Sequence, residues 1–235
     1  MWGYYLQSHY YYLILVVPAM ILAAYAQMKV NTTFSKYNNV YNRRGFTGAD
    51  AARAILDANG LYHIRIERVS GKLTDHFDPS ANVIRLSDSV YNVNSVAAVG
   101  VAAHEAGHAV QHAVGYTPIK IRSAIVGVTN IGSQLSMPLI IAGIIFSFEP
   151  LVTIGLVLFS LISVFQLVTL PVEFDASSRA MKILRNDGIL SDEELGGVKK
   201  VLSAAAMTYV AALIVALANL VRMILIYGRR NNDDN

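Results

Sequence analysis

Five consecutive residues carry the strongest chemical signal in this 235-residue chain: His104-Glu105-Ala106-Gly107-His108. On a helix, at about 100° per residue, the two histidines fall one turn apart and about 40° from each other around the axis, so both imidazoles can reach one cation. Glu105 is rotated off that line and addresses a water on the cation. This residue set is suited to zinc-dependent hydrolysis. The ion lowers the pKa of its water toward ~7 and polarises a carbonyl, while the glutamate passes the water's proton to the leaving amine. With only 6 His in the chain and about as many Glu, chance placement of the pattern comes to about 0.004. The bland alternative is a pair of hydrogen-bonded core histidines around a buried glutamate. It would leave a carboxylate among Ala, Val and Gly with no counterion, at a high desolvation cost.

Composition restricts what can position these groups. The chain is 54% hydrophobic and 15% charged, against roughly 25% charged for a soluble domain. Asp, Glu, Lys and Arg are missing from residues 1–28, 123–148, 150–172 and 201–221. Each window can hold the about 20 apolar residues needed to cross a bilayer. The first span runs from about Tyr10 to Ala26, with Tyr4, Tyr5, Tyr10, Tyr11 and Tyr12 placed as an interfacial aromatic belt. Without an upstream Lys or Arg, and with Gln27-Met28-Lys29 a poor cleavage site, it reads as a retained anchor. Residues 123–148 and 151–170 form a hairpin turning at Glu149-Pro150, and residues 204–227 the fourth span. Asn130, Gln134, Gln166 and Asn219 within the spans read as interhelical hydrogen-bonding groups. Arg222 reads as a snorkelling side chain near a span end.

Basic residues near span ends set the orientation. Lys29, Lys36, Arg43, Arg44, Lys120, Arg122, Arg179, Lys182, Arg185, Lys199 and Lys200 share one side, against chiefly Arg229 and Arg230 on the other. The first side is therefore expected to be cytoplasmic, and the net charge of +3 is read as a topology signal with no nucleic-acid partner. On that side, Thr47 and Gly60 bracket a short helix. Tyr62 to Val69 and Asn82 to Leu86 read as two strands of a ribbon with a broad connection. A helix from about Asn94 to Gly115 carries the two histidines.

A catalytic zinc takes three protein ligands and keeps one position open. With no cysteine, the third must be His or a carboxylate. The metzincin spacing does not follow His108. His112 continues the same helix face about 6 Å further on and reads as a helix-face histidine. Glu149 lies across the bilayer, and Asp192, Glu193 and Glu194 belong to a helix start capped by Ser191. Glu173 and Asp175 remain, on a helix leaving the third span and about 200° apart, so only one can face the ion.

Four segments together resemble the YugP-like family of bacterial membrane zinc metallopeptidases: Leu73 to Pro79, Ile84 to Ser87, Val101 to His112 and Leu170 to Ala180. The resemblance covers about residues 30 to 225 and implies a peptidase with His104 and His108 as ligands and Glu105 as base. A wider similarity is to the membrane gluzincins that include the heat-shock and CAAX-processing proteases. It implies Glu173 as third ligand, with Ser177 standing where those enzymes carry an Asp that orients a ligand histidine. Asp175 with Arg179 then reads as a helix pair. Within Leu73 to Pro79, Asp75, His76 and Asp78 read as turn-bracing residues, with substrate contact or a second ion as alternatives. Arg222, His76 and His112 are candidate donors to the scissile carbonyl, and the strand Val83 to Leu86 is a candidate edge for an extended peptide.

The expected fold is mainly α: a polytopic membrane bundle of about four transmembrane helices with a small α+β zincin-like catalytic domain. Its segments are an anchor (1–28), the catalytic domain (29–122), a transmembrane hairpin (123–170), a helical segment bearing the third ligand (171–203) and a C-terminal transmembrane helix with its tail (204–235). The expected activity is Zn2+-dependent endopeptidase cleavage of membrane or unfolded proteins in a bacterial cytoplasmic membrane, with the active site on the cytoplasmic side. The expected partners are a protein or peptide substrate and the lipid bilayer. Two other classes compete with it: a non-proteolytic scaffold or chaperone that keeps zinc for structure, which the presence of Glu105 argues against, and a small transporter.

Overall fold

The computed structural model describes residues 9–227. Tyr4, Tyr5, Arg229 and Arg230, invoked above for the aromatic belt and the charge bias, lie outside the described residues. The chain is predominantly helical, with one three-stranded sheet. A π-helical turn at Tyr12–Val16 leads into α1 (Val17–Asn38). Next come α2 (Gly48–Ala58), β1 (Arg65–Val69), β2 (His76–Asp78), β3 (Val83–Ser87) and α3 (Val96–Ala113). Three long helices follow: α4 (Thr117–Ile145), α5 (Glu149–Asn186) and α6 (Asp192–Tyr227). Four helical stretches, His9–Asn38, Thr117–Ile145, Glu149–Asn186 and Asp192–Tyr227, are long and apolar enough to cross a membrane.

The chain divides into two compact units. One comprises the residues up to Ala26, Ile121–Leu170, and those from Thr208 onward. Large apolar side chains are exposed there, among them Leu13, Ile21, Ile131, Val157 and Leu167, as expected of helices whose solvent is lipid. Close approach between α4 and α5 relies on small residues: a Cβ on Gly155 would lie 2.8 Å from the Ser136 carbonyl. Asn219 departs from the interhelical role expected of it, because its amide donates to Val215 O one turn back on its own helix at 2.9 Å.

The second unit, Gln27–Lys120 with Pro171–Met207, holds the sheet and the core. Thr47 caps α2 reciprocally with Asp50, and Ser191 and Glu194 do the same for α6. Ile55 and Leu56 of α2, Ile84 and Leu86 of β3, Val99 and Ala103 of α3, Leu184 of α5 and Val198 of α6 share one buried cluster. Arg53 staples the α2–β1 connection by donating to Ile64 O and Leu61 O.

Strand order corrects the two-strand ribbon. β1 pairs parallel with β3 from Arg65↔Val83 to Val69↔Ser87, and β2 pairs antiparallel with β3, Phe77 facing Ile84. β3 is thus central and paired on both sides, so it cannot be the free edge expected to receive a peptide. The reason lies in the connection between β1 and β3. Gly71 and Leu73 both take positive φ, Asp88 accepts from Arg68 Nε and Gly71 N, and Asp75 accepts from Ser87 N. These contacts fold a three-residue strand out of a stretch too short for its alternation to register.

Candidate metal centre

Helix α3 begins at Ser95, whose hydroxyl accepts from Ala98 N and donates to Asn38 Oδ1. Its Ala102, Ala103, Ala106 and Ala109 are buried, which leaves one face for His104 and His108. Helix α5 reaches that face beyond Pro171, a residue that cannot donate a helical hydrogen bond. The two helices touch at Gly107, where a Cβ would stand 2.7 Å from Ala176 O. With no side chain at 107, α5 comes close enough for Glu173 and Ser177, one turn apart, to reach the histidines.

Glu173 Oε2 stands 3.3 Å from His104 Nε2 and 3.6 Å from His108 Nε2. Ligand atoms of all three residues lie within 4.8 Å of one another, and Glu173 is 2% exposed. Four ligands placed tetrahedrally at about 2.05 Å from a zinc ion are about 3.3 Å apart, so the set fits such an ion. The electrostatics agree. Burial works to raise the Glu173 carboxyl, yet hydrogen bonds and charge from His104 and His108 prevail and hold it well below the usual carboxylate range. Burial likewise opposes a charged His108, but Glu173, Glu105 and Gln111 raise its pKa overall. The pocket therefore favours positive charge beside a buried carboxylate.

A surrounding layer of polar contacts orients these candidate ligands. His104 Nδ1 lies 3.1 Å from Ser177 Oγ. His108 Nδ1 lies 3.0 Å from Gln111 Oε1. Gln111 Nε2 donates to Asp175 Oδ2 at 2.8 Å, and Asp175 accepts from Arg179 Nε at 2.6 Å. Asp175 is thus more than a surface partner of Arg179, since it reaches the α3 side of the site. Glu105 is held from the sheet: its Oε2 accepts from the Phe77 main-chain N–H at 3.0 Å.

The remaining candidates are placed elsewhere. His112 is exposed, edge-on to the Phe77 ring at 6.0 Å, and is not among the clustered candidate ligands. Asp75 braces the sheet by accepting from Ser87 N and Oγ. Burial raises its pKa against those two bonds, and the charge of Glu105 adds to the rise. His76 is exposed, with Nδ1 on Thr74 O and Nε2 toward Arg85 Nη1, which makes it a loop and sheet residue. Asp78 closes the β2–β3 turn by accepting from Ser80 N and Ala81 N. Arg222 belongs to the other unit, its guanidinium 5.1 Å from the Tyr12 ring centre. Sequence reasoning missed Gln111 and the Phe77 amide. Gln111 stands three residues after His108 on the same helix, a spacing that could have flagged it; no side-chain pattern reports a main-chain donor.

Comparisons with known proteins bear on the same residues. Residues 12–228 match a family model described as "Putative neutral zinc metallopeptidase". A protein of Bacillus subtilis (strain 168) named "Putative membrane protease YugP" is 46% identical over 223 residues, covering 94% of this chain and 99% of the relative. No solved structure matches the chain. Near full-length agreement at this identity, in a chain whose His-His-Glu cluster fits zinc, places the protein in that neutral zinc metallopeptidase family.

Proposed function

We propose that the chain is a membrane-anchored zinc endopeptidase in which His104, His108 and Glu173 hold the ion and Glu105 is the general base. The observation that carries this reading is the spacing of Glu173 Oε2 from the two imidazole Nε2 atoms, 3.3 and 3.6 Å, with Glu105 on the same helical turn. Zinc, when bound, supplies Lewis acidity to a water and to the scissile carbonyl. Glu105 removes the water's proton as the water oxygen bonds to the carbonyl carbon, then delivers that proton to the amine as the C–N bond breaks. The Phe77 N–H keeps one Glu105 oxygen fixed, so the other is the one aimed at the proton. Because β3 is paired on both sides, β2 is the strand beside α3 against which an extended chain would lie.

The clustering of Lys and Arg near span ends supports a cytoplasmic active site. Tethering beside a bilayer raises the effective concentration of membrane and unfolded chains, which supports these as substrates. The named function of the Bacillus relative, a membrane protease, points the same way. The deciding experiment is Glu105→Gln in detergent: zinc content stays at the wild-type level while cleavage of casein or a membrane protein is lost. Unchanged cleavage in that variant would remove Glu105 as base and the proposal with it.

A further inference from the structure

Gln111 is fully buried, and its contacts have a polarity that can be worked out from one fixed point. Its Nε2 lies 2.8 Å from the main-chain carbonyl of Val172, the residue before Glu173. A carbonyl can only accept, so the atom facing it must be the amide NH2. The second neighbour of that NH2, Asp175, is held as an acceptor by Arg179 at 2.6 Å. Oε1 is then compelled to face His108, and an acceptor 3.0 Å from Nδ1 requires the proton to sit on Nδ1. In the neutral ring the lone pair is then left on Nε2, the atom 3.6 Å from Glu173. The flipped amide would set its oxygen against two acceptors, the Val172 carbonyl and Asp175, losing both of those bonds.

We propose that Gln111 is a positioning residue of the metal centre: it carries the polarity of the Val172 carbonyl and the Asp175–Arg179 pair to His108 and locks the tautomer that offers Nε2 to the ion. The role rests on the zinc-site reading above and extends it. It gives α5 two tasks, since the helix that supplies the Glu173 ligand also dictates, through the preceding peptide group, which nitrogen of a histidine on α3 can bind. The two ligand histidines are oriented by neutral groups, a hydroxyl for His104 and an amide for His108, and the only charged pair in the relay sits one residue further out. Outer partners of this kind are typically worth about 10- to 100-fold in metal affinity.

The test is zinc affinity by chelator competition on the full-length protein in detergent, with thermal melting of the metal-free form as a control for folding. Gln111→Met fills the same space without an acceptor and is expected to weaken zinc about 10- to 100-fold. Asp175→Ala is expected to weaken zinc several-fold in the wild-type background and not at all on top of Gln111→Met, the non-additivity of residues acting through one another. Wild-type protein that holds no zinc would overturn the site and this proposal together. Wild type that holds zinc while Gln111→Met matches it within about twofold would overturn the proposal alone. If Gln111→Met does not fold, Asp175→Ala decides: it must weaken zinc, and an affinity within about twofold of wild type overturns the proposal.

Discussion

Gly107 sits inside the pentapeptide proposed to bind zinc but is not one of the proposed ligands, and alanine there should nevertheless empty the site. A Cβ at 107 would lie 2.7 Å from Ala176 O and 3.3 Å from Ala176 C and Cα. A comfortable carbon–oxygen contact is about 3.3 Å or more, so α3 and α5 must separate by about 0.6 Å. Ala176 is a backbone neighbour of Ser177 and lies three residues beyond Glu173, so the retreat is imposed on both groups that reach the histidines. Metal sites tolerate about ±0.2 Å in ligand distance, a third of the imposed shift. Overpacking of this kind costs about 1–3 kcal/mol, offset by the about 0.5–1 kcal/mol that a helix gains when Gly becomes Ala. We expect Gly107→Ala to lose at least about tenfold in zinc affinity by chelator competition and to melt below wild type. Gly196→Ala is the control: it lies inside α6 with nothing within 4 Å of the added carbon, so it should melt slightly higher with zinc affinity unchanged. The reasoning is refuted if Gly107→Ala binds zinc within about twofold of wild type.

Other outcomes follow from the same geometry. Glu173→Ala removes a ligand, and metal analysis should find zinc lost, whereas Asp175→Asn should retain most of it; the reverse result would assign the third ligand to Asp175. Asp75 gives a pH signature. Its raised pKa means that the folded protein keeps a proton the unfolded chain releases near 3.8, so its contribution to stability falls as pH rises from that value through the folded pKa and is level above it. Melting temperature against pH for Asp75→Asn, measured beside wild type, should lack that decline; a wild-type curve that rises relative to the variant across the window would contradict the assignment.

His104, Glu105 and His108 were readable because a helix converts sequence spacing directly into a shared face, and that relation needs no tertiary contact. The apolar lengths of the four long helices were readable for a similar reason, since a bilayer demands a fixed length of apolar chain. Thr47 and Ser191 announced helix starts because capping is completed within three residues. The sheet was legible only in part. Two strands were visible in the alternation of residues 62–69 and 82–86, but the parallel pairing of β1 with β3 and the insertion of β2 depend on turns at Gly71, Leu73 and Asn82 and on contacts 12 to 20 residues apart.

At the metal centre the division is sharper. Spacing alone left Glu173 and Asp175 equivalent, two carboxylates on opposite sides of one helix. The rotation of α5 about its own axis decides between them, and that rotation is set by the contact of Ala176 with Gly107, 69 residues away in sequence. Packing then gave each carboxylate a different task, Glu173 among the imidazoles and Asp175 on the amide of Gln111. The sequence by itself therefore determined which chemistry to propose for the chain, because its pair of histidines and the glutamate between them are local to one helical turn. Only the tertiary structure decided what completes and orients the site: Glu173 and Ser177 arrive from α5, the Phe77 amide is a main-chain N–H that every residue type shares, and Gln111, although on α3, is oriented by Val172 and Asp175 of α5.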